Sequence, residues 1–248
     1  MKILKLTSLA ALAIGLAVFS TTSAQAQVII TWGAATNVTG GSDIYTAGSL
    51  VSAVSFNPGN SGPKTESVSG VTFQTATVVS NNFKDASNLA NWAMLGTAGQ
   101  FTGGGLGTGG TYLNIVGGGH YNSGVTTGFT DTLTLSGLTN GHNYELQIWS
   151  GGFDNRLIAT FGSDSSFANP TVTLNPASNG QFALGTFTAG AATSEVVYFK
   201  VTNPSSANHY LTLGAVELRD ITIPEPATWG LLAFSLTAVM VLRRRRRS

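Results

Sequence analysis

Residues 133–149 read LTLSGLTNGHNYELQIW, and the pattern of this stretch indicates a β fold. Before its centre, Leu133 and Leu135 alternate with threonines; after it, residues 144–148 alternate between apolar and polar side chains. A period of two is typical of a strand that places one face on a core. Asn140-Gly141 stands between the two runs and is a strong signal for a tight turn between antiparallel strands. The stretch therefore predicts a β-hairpin.

The turn resembles the tyrosine corner of fibronectin type III domains and related sandwiches. Tyr144 holds the position of the tyrosine, and Asn140 stands in place of the usual proline. In those sandwiches the tyrosine hydroxyl bonds to upstream backbone and the ring packs in the core. The resemblance implies the same bond and the same burial for Tyr144, within a β-sandwich.

Short apolar segments rich in Val, Ile, Leu, Phe and Tyr recur along residues 27–222, separated by turn residues. Helical spacing predicts one short helix at Asp85–Leu95, and a change of phase at Gly214 predicts a β-bulge. About ten antiparallel strands with no helices between them predict an all-β domain, a two-sheet antiparallel sandwich of jelly-roll type. The predicted strands are Val28–Trp32, Leu50–Phe56, Val71–Val79, Thr111–Val116, Thr130–Leu135, Tyr144–Trp149, Leu157–Phe161, Thr171–Leu174, Phe182–Phe187, Glu195–Val201 and Tyr210–Leu218.

The composition excludes several classes of protein. The 248 residues include no cysteine, which removes disulfide frameworks, cysteine-ligated metals and thiol nucleophiles. Only 9% of the residues are charged and the formal net charge is +1, which argues against a partner among the nucleic acids. A chain of this length with 42% apolar residues can bury a full core without a structural metal.

The N-terminus has the three parts of a secretory signal peptide. Two lysines come first, residues 6–19 are apolar, and Ala24 and Ala26 have the small-x-small spacing that signal peptidase needs. Cleavage there makes residues 1–26 the signal peptide and Gln27 the first residue of the mature protein. The alternative is an N-terminal membrane anchor, for which the apolar run is short.

Three features follow one another in residues 223–248. A proline-rich motif precedes one apolar run, and five arginines come after it. A helix that begins at the motif would span about 28 Å, close to the roughly 30 Å hydrocarbon core of a bilayer. Arginines after the span hold that end in the cytoplasm, so this transmembrane helix leaves the N-terminus outside. The residues concerned are Pro224, Glu225, Pro226, Trp229, Leu242, Arg243, Arg244, Arg245, Arg246 and Arg247.

This tail resembles the PEP-CTERM sorting signal of exported proteins from Gram-negative bacteria that make extracellular polysaccharide. In that family the tail is recognised and removed by exosortase, a membrane transpeptidase-like protease. The resemblance implies signal peptidase and exosortase as processing enzymes, transient anchoring in the inner membrane, and a final place at the cell surface or in the extracellular matrix. A simple one-helix anchor is the alternative. Leu135–Tyr144, Gly180–Ala189 and Ala215–Arg219 also resemble a recurrent passenger region of such proteins, for which no activity is implied.

An exposed aromatic ring with polar neighbours is what a sugar-binding surface needs. Trp149 is turned away from the apolar face of its strand, and the following loop offers aromatic, carboxylate, amide and guanidinium groups. The alternative is that Trp149 packs against the other sheet or a loop. The candidate ligand-binding residues are Trp149, Phe153, Asp154, Asn155 and Arg156, with His120 and Tyr121 as a second group.

Metal and nucleotide signals are weak. His120, His142 and His209 are too widely spaced for a local metal motif, and no metal site is predicted from them. Structural calcium is kept open as an alternative, with Asp154, Asn155, Asp164 and Asp220 as candidates. Gly105-x-Gly107-x-x-Gly110 matches the dinucleotide fingerprint, which requires a helix after it; because residues 111–116 are predicted as a strand, we interpret the match as a loop.

The predicted domain, residues 27–222, carries five basic and ten acidic residues, a net charge of −5. Two carboxylates about 5 to 10 Å apart could hydrolyse a glycoside. Three hypotheses follow: an exported surface or matrix protein of structural or interaction type, a carbohydrate-binding module that recognises extracellular polysaccharide, and a glycoside or other hydrolase. The first is preferred, so the protein is expected not to be an enzyme and to need no cofactor. The acidic residues are Asp43, Glu66, Asp85, Asp131, Glu145, Asp154, Asp164, Glu195, Glu217 and Asp220.

Overall fold

The computed structural model describes residues 27–56, 65–79, 82–85, 92–95, 99–101, 110–116, 119–125, 128, 130–150, 158–175, 180–202 and 209–222. The signal peptide, the sorting tail and the loop with Phe153, Asp154, Asn155 and Arg156 lie outside these residues. Among the described residues, no helix has both the length and the apolar character needed to cross a bilayer.

The described chain is all-β apart from one short helix and one 3-10 turn, Gly41–Asp43. Its first strands are β1 Thr31–Trp32, β2 Thr36–Asn37, β3 Ser49–Ser55, β4 Glu66–Val68, β5 Val71–Val79, β6 Asn82–Asp85, β7 Trp92–Leu95, β8 Gly99–Phe101 and, after helix α1 Gly110–Val116, β9 Gly119–Val125. The rest are β10 Thr130–Ser136, β11 Asn143–Ser150, β12 Ala159–Gly162, β13 Thr171–Leu174, β14 Gln181–Thr188, β15 Ser194–Val201, β16 His209–Leu213 and β17 Ala215–Asp220.

Strand β5 joins two sheets of a sandwich-like fold. Its first half pairs in parallel with β3, and its second half pairs antiparallel with β6. On one side of it lies the first sheet, in the order β1-β14-β11-β17-β3, with β2 also on β14. On the other lies the second sheet, in the order β6-β7-β10-β15-β12-β13. A small third sheet has the order β16-β9-β8, and β4 pairs with the start of β5.

The main core lies between the first and second sheets. Alternate residues of β11 and β17 meet alternate residues of β10, β12 and β15 there, as the period-two pattern predicts. Within it, the rings of Phe161 and Phe199 stack at 5.5 Å. Both sheets contribute side chains to this core, among them Leu133, Leu135, Leu146, Ile148, Val197, Val216 and Leu218.

The hairpin predicted at residues 133–149 is not formed, because β10 and β11 belong to different sheets. The connection between them crosses the edge of the sandwich beside the connection from β14 to β15. Leu138 N–H donates to the Thr193 carbonyl (3.1 Å), and Gly141 N–H donates to the Ala189 carbonyl (2.9 Å). Gly141 has φ +78°, which allows the chain to turn out of the sheet plane. Asn140-Gly141 therefore lies in a turn that connects the two sheets, not in a hairpin within one sheet.

Two further predictions at the element level are wrong. The helix expected at Asp85–Leu95 is replaced at its ends by β6 and β7, which pair antiparallel with each other. The strand expected at Thr111–Val116 is helix α1. Tyr112, Ile115 and Val116 are buried on one side of this helix, at the i, i+3, i+4 spacing that a helix requires.

Gly214 is a point of sheet change rather than the predicted bulge. The chain leaves the third sheet after β16 and enters the first sheet at β17. Gly214 N–H donates to the Trp149 carbonyl (2.8 Å), and the Gly214 carbonyl accepts from Phe56 N–H (2.9 Å). The register of β17 shifts later, between Leu218 and Arg219. The change of phase in the sequence reflects the step from β16 in the third sheet to β17 in the first sheet.

Candidate functional site

The outer face of the first sheet carries the residue predicted to bind sugar, and that face is covered. Trp149 points away from the main core, as expected, but its side chain is 0% exposed. Phe73 meets its ring edge-on at 5.8 Å, and Phe182 lies 6.3 Å away. The indole N–H donates to the Tyr112 hydroxyl at 2.9 Å. No face of the indole ring is open, so the prediction that Trp149 offers a stacking platform is wrong.

Helix α1 is one part of this cover. Ile115 and Val116 join Trp149 and Phe73 in a second apolar cluster, with Ile44 and Val68 packed beside them. The Ser55 hydroxyl donates to the Ile115 carbonyl at 2.8 Å and fixes the helix on the sheet.

The glycine fingerprint is therefore followed by a helix, contrary to the sequence prediction. The strand before it, β8, pairs antiparallel with β9. The dinucleotide fingerprint belongs instead to a parallel βαβ unit.

Farther along the same face, the apolar cover gives way to charged and amide side chains. Glu145 lies opposite Arg219 across the β11–β17 ladder, and Gln147 lies opposite Glu217. All four share the face of Trp149 because they are two or four residues from it or from its partner Ala215. All four are buried, with Glu217 only 1% exposed.

A segment that we call the strap, residues 38–48, lies over these polar side chains. Arg219 Nη1 donates to the carbonyls of Thr46 and Gly48, each at 3.2 Å. Gln147 donates to the Asp43 carbonyl at 2.7 Å and accepts from Tyr45 N–H at 2.9 Å. The strap is therefore held by side chains of the sheet beneath it.

The charges under the strap do not balance. Arg219 Nε donates to Glu217 Oε1 at 2.5 Å, and the Tyr45 hydroxyl bonds to the carboxyl of Glu145. Glu145 Oε1 and Glu217 Oε2 are buried without a hydrogen-bond partner. Burial raises the pKa of Glu217 to about 7 against the opposing effect of Arg219, and burial also raises the pKa of Glu145.

This cluster brings together two carboxylates of the set weighed for glycoside hydrolysis. Glu145 and Glu217 occupy diagonal positions on adjacent strands, for which Cα atoms are about 7 to 8 Å apart. Both are covered by the strap, with 7% and 1% of their surface exposed. A glycosidic bond cannot reach them in this arrangement, so the pair does not form an open catalytic site.

Residues 220–222, at the C-terminal end of β17, are clamped against the start of β11. Asp220 Oδ2 lies 2.6 Å from His142 Nδ1, and Ile221 N–H donates to the Asn143 carbonyl at 2.8 Å. Asn143 N–H donates to the Thr222 hydroxyl at 2.8 Å. Burial would raise the pKa of Asp220, but bonds from Thr222 and His142 outweigh it and lower that pKa.

A groove of about 580 Å³ opens beside this clamp. Ile29 and Thr31, near the start of the described chain, line it together with Asn143, Tyr144, Thr188 and Thr222. These lining side chains offer hydroxyl, amide and apolar groups without a formal charge. The groove shows that residues 29–31 and residue 222 lie at the same end of the domain.

The calcium candidates within the described chain are already bonded to protein groups. Asp164 accepts from the backbone N–H groups of Ser166, Ala168 and Asn169, and from the Ser166 hydroxyl. These bonds hold the pKa of Asp164 well below its usual range. Asp220 is held by His142 and Thr222. The described residues contain no group of three or more metal-ligating side chains.

The other predicted binding residues are less fully described. His120 and Tyr121 lie in β9 of the third sheet, where the structure describes their backbone alone.

The acidic cluster under the strap, formed by Glu145 and Glu217, was not predicted from the sequence. A signal for it exists in the sequence, since Glu145 and Gln147 alternate with apolar residues, as do Glu217 and Arg219. Alternating polar residues on two paired strands predict that one face of the sheet is polar. They do not predict that the strap covers that face.

Comparison with protein-family models, with curated proteins and with solved structures finds no match for this chain.

Proposed function

We propose that this chain is an exported cell-surface or extracellular-matrix protein of structural or interaction type, delivered through a PEP-CTERM-like tail. Signal peptidase and an exosortase would be its processing enzymes, and the inner membrane would hold it through the tail until that tail is removed. The proposal includes a jelly-roll topology. The pairing of consecutive strands supports this topology. Strands β10 and β15 pair in the second sheet, and after the chain crosses the edge of the sandwich β11 and β14 pair in the first sheet.

The observation that carries the proposal is the clamp at residues 220–222. Asn143 fixes both Ile221 and Thr222, and Asp220 accepts the Thr222 N–H at 2.9 Å. The fold is thus closed immediately before the motif Pro224-Glu225-Pro226. A protease that removes the tail would need to unfold none of the described strands. This is the arrangement that a passenger released by C-terminal processing requires.

The alternative of a polysaccharide-binding module has lost its central residue, because Trp149 is enclosed. Its remaining candidates are His120, Tyr121 and the loop from Phe153 to Arg156. The hydrolase alternative has a carboxylate pair in Glu145 and Glu217, which the strap covers. A structural or interaction role therefore has more support than either.

Cell fractionation of a triple variant tests the proposal. The full chain and a variant with Pro224→Ala, Glu225→Ala and Pro226→Ala would be produced in a bacterium that carries an exosortase. We expect the parent chain in the extracellular fraction and the variant retained in the inner membrane. A matched control replaces the same residue types outside the tail and should leave the extracellular fraction unchanged; its substitutions are Glu66→Ala, Pro170→Ala and Pro204→Ala. Equal distribution of the parent chain and the tail variant would contradict the proposal.

A further inference from the structure

We propose that Glu145 and Glu217 together bind a single proton, and that this proton fastens the strap over the first sheet. The inference is independent of the sorting tail. It rests on the charges that the strap encloses, on the carboxylate oxygens left without partners, and on the bonds that tie the strap to the same side chains.

The enclosed charges leave one carboxylate without a counter-ion. Glu145, Glu217 and Arg219 are 7%, 1% and 7% exposed. Arg219 pairs with Glu217, so one guanidinium serves two carboxyls. An uncompensated buried ion destabilises the closed state, and a proton removes that effect by neutralising one of the two groups.

Among the described residues, Arg219 is the one cation that acts on Glu145 or Glu217. From the strap, Tyr45 presents a neutral hydroxyl to Glu145. The Asp43 carboxylate is occupied by Thr39 and Gly40 of the strap and by Tyr112 of helix α1. The neighbouring strands place neutral residues opposite the pair, Ala53 of β3 opposite Glu217 and Thr186 of β14 opposite Glu145.

The proton belongs to the pair because the two carboxyls act on each other. The charge of Glu145 is one cause of the raised pKa of Glu217, alongside the larger effect of burial. Glu145 Oε1 and Glu217 Oε2 are the two oxygens without a partner. Two carboxyls that interact in this way release their protons in steps that belong to the pair rather than to either residue.

Loss of the proton would loosen the strap. With both carboxyls ionised, one buried charge lacks a partner, and water can reach it only if the strap lifts. Arg219 holds the strap through Thr46 and Gly48, and Gln147 holds it through Asp43 and Tyr45. In the closed state burial raises the pKa of Glu217 from its ordinary value of 4.5 to about 7. The proton's contribution to the closed strap is therefore complete below pH 4.5 and is lost as the pH rises from 4.5 through 7.

Amide hydrogen exchange of the full chain between pH 5.5 and 8.5, corrected for the intrinsic exchange rate, tests the inference. We expect protection of Tyr45 N–H and its neighbours in the strap to fall by up to tenfold per pH unit as the pH rises to 7 and to level off above 7, while protection of β11 changes little. Glu217→Gln and, as a second variant, Glu145→Gln mimic the protonated carboxyl and should remove this pH dependence. Asp131→Asn, which changes a buried carboxyl in the second sheet, should keep it.

Two results would overturn the inference. One is equal protection of the strap at pH 5.5 and 8.5 in the parent chain. The other is retention of the pH dependence in whichever of the two glutamine variants folds.

Discussion

The backbone N–H of Thr139 donates a 2.8 Å hydrogen bond to the hydroxyl of Tyr144, across the corner that connects the second sheet to the first. The Tyr144 side chain is buried in the main core, where its ring stacks on Phe187 at 5.5 Å. This is the bond and the burial that the resemblance to a tyrosine corner implies, and that prediction is confirmed. The bond fixes the direction in which β11 enters the first sheet.

Removal of the hydroxyl in Tyr144→Phe should lower the free energy of unfolding by about 1 kcal/mol, because the ring stays packed and one hydrogen bond is lost. Urea denaturation measures the change. Tyr198→Phe on β15 is the matched control, since the described residues offer no hydrogen-bond partner to that hydroxyl. Equal stabilities for the two variants would show that the corner bond contributes nothing.

Gly48 leads the strap into β3 at a close approach to the end of β17. It has φ +78°, and a Cβ atom placed there would overlap the Asp220 carbonyl oxygen. Gly70 has φ +79° with open space around it, so Gly70→Ala carries only the backbone cost of about 1 kcal/mol. We expect Gly48→Ala to cost about 1 to 3 kcal/mol more than Gly70→Ala in thermal or urea unfolding. A smaller loss at position 48 than at position 70 would contradict the close approach.

Trp149 is expected to stabilise the fold without contacting a ligand. Trp149→Ala should reduce the free energy of unfolding by about 3 to 5 kcal/mol, because a large enclosed side chain is deleted. Trp149→Phe should be milder and should leave polysaccharide affinity at the parent value. Affinity electrophoresis in gels that contain extracellular polysaccharide measures the second quantity. Loss of affinity in Trp149→Phe with unchanged stability would restore Trp149 as a binding residue.

Asp131 should make the fold less stable as the pH rises. Burial raises its pKa to about 6, against one bond from Thr132 N–H, and its second oxygen has no partner among the described residues. The folded pKa exceeds the ordinary value of 3.8, so the stabilising contribution is complete below pH 3.8 and is lost as the pH rises through 6. Asp131→Asn should therefore be more stable than the parent at pH 8, by about 1 to 3 kcal/mol.

Asp164→Asn is the comparison for Asp131→Asn, because the change in stability at pH 8 is expected to have the opposite sign. Hydrogen bonds from Ser166 and from backbone N–H groups lower the pKa of Asp164, so its contribution is present above pH 3.8 and lost in acid. This variant should be less stable than the parent at pH 8. Urea midpoints at pH 4.5 and pH 8 for the three proteins measure both effects. A gain in stability for both variants, or for neither, would contradict the assignment.

Most strands could be predicted from the sequence because apolar residues alternate where one face meets the core. Val71–Val79 and Thr171–Leu174 were predicted to the residue. Helix α1 was missed because Thr, Ile and Val in residues 111–116 are typical of strands, although Tyr112, Ile115 and Val116 have helical spacing. Packing of these three on the second apolar cluster outweighs the intrinsic preference.

The outer face of the first sheet could be predicted only in part. The alternation along β11 correctly turns Trp149 away from the main core, but alternation cannot show that the strap and helix α1 cover that face. For the same reason the pattern marks Glu145 and Glu217 as outward residues and does not show that they are enclosed together. Cover by segments 37 to 173 residues away in the chain is a property of the tertiary structure.

We propose that the domain is exported and released from its tail, and the intact mass of the protein recovered outside the cell tests this proposal. The chain would be produced in a Gram-negative bacterium that carries an exosortase. We expect a protein that begins at Gln27 and lacks the apolar run and the arginines of residues 229–247. An extracellular protein whose mass still includes those residues would contradict it.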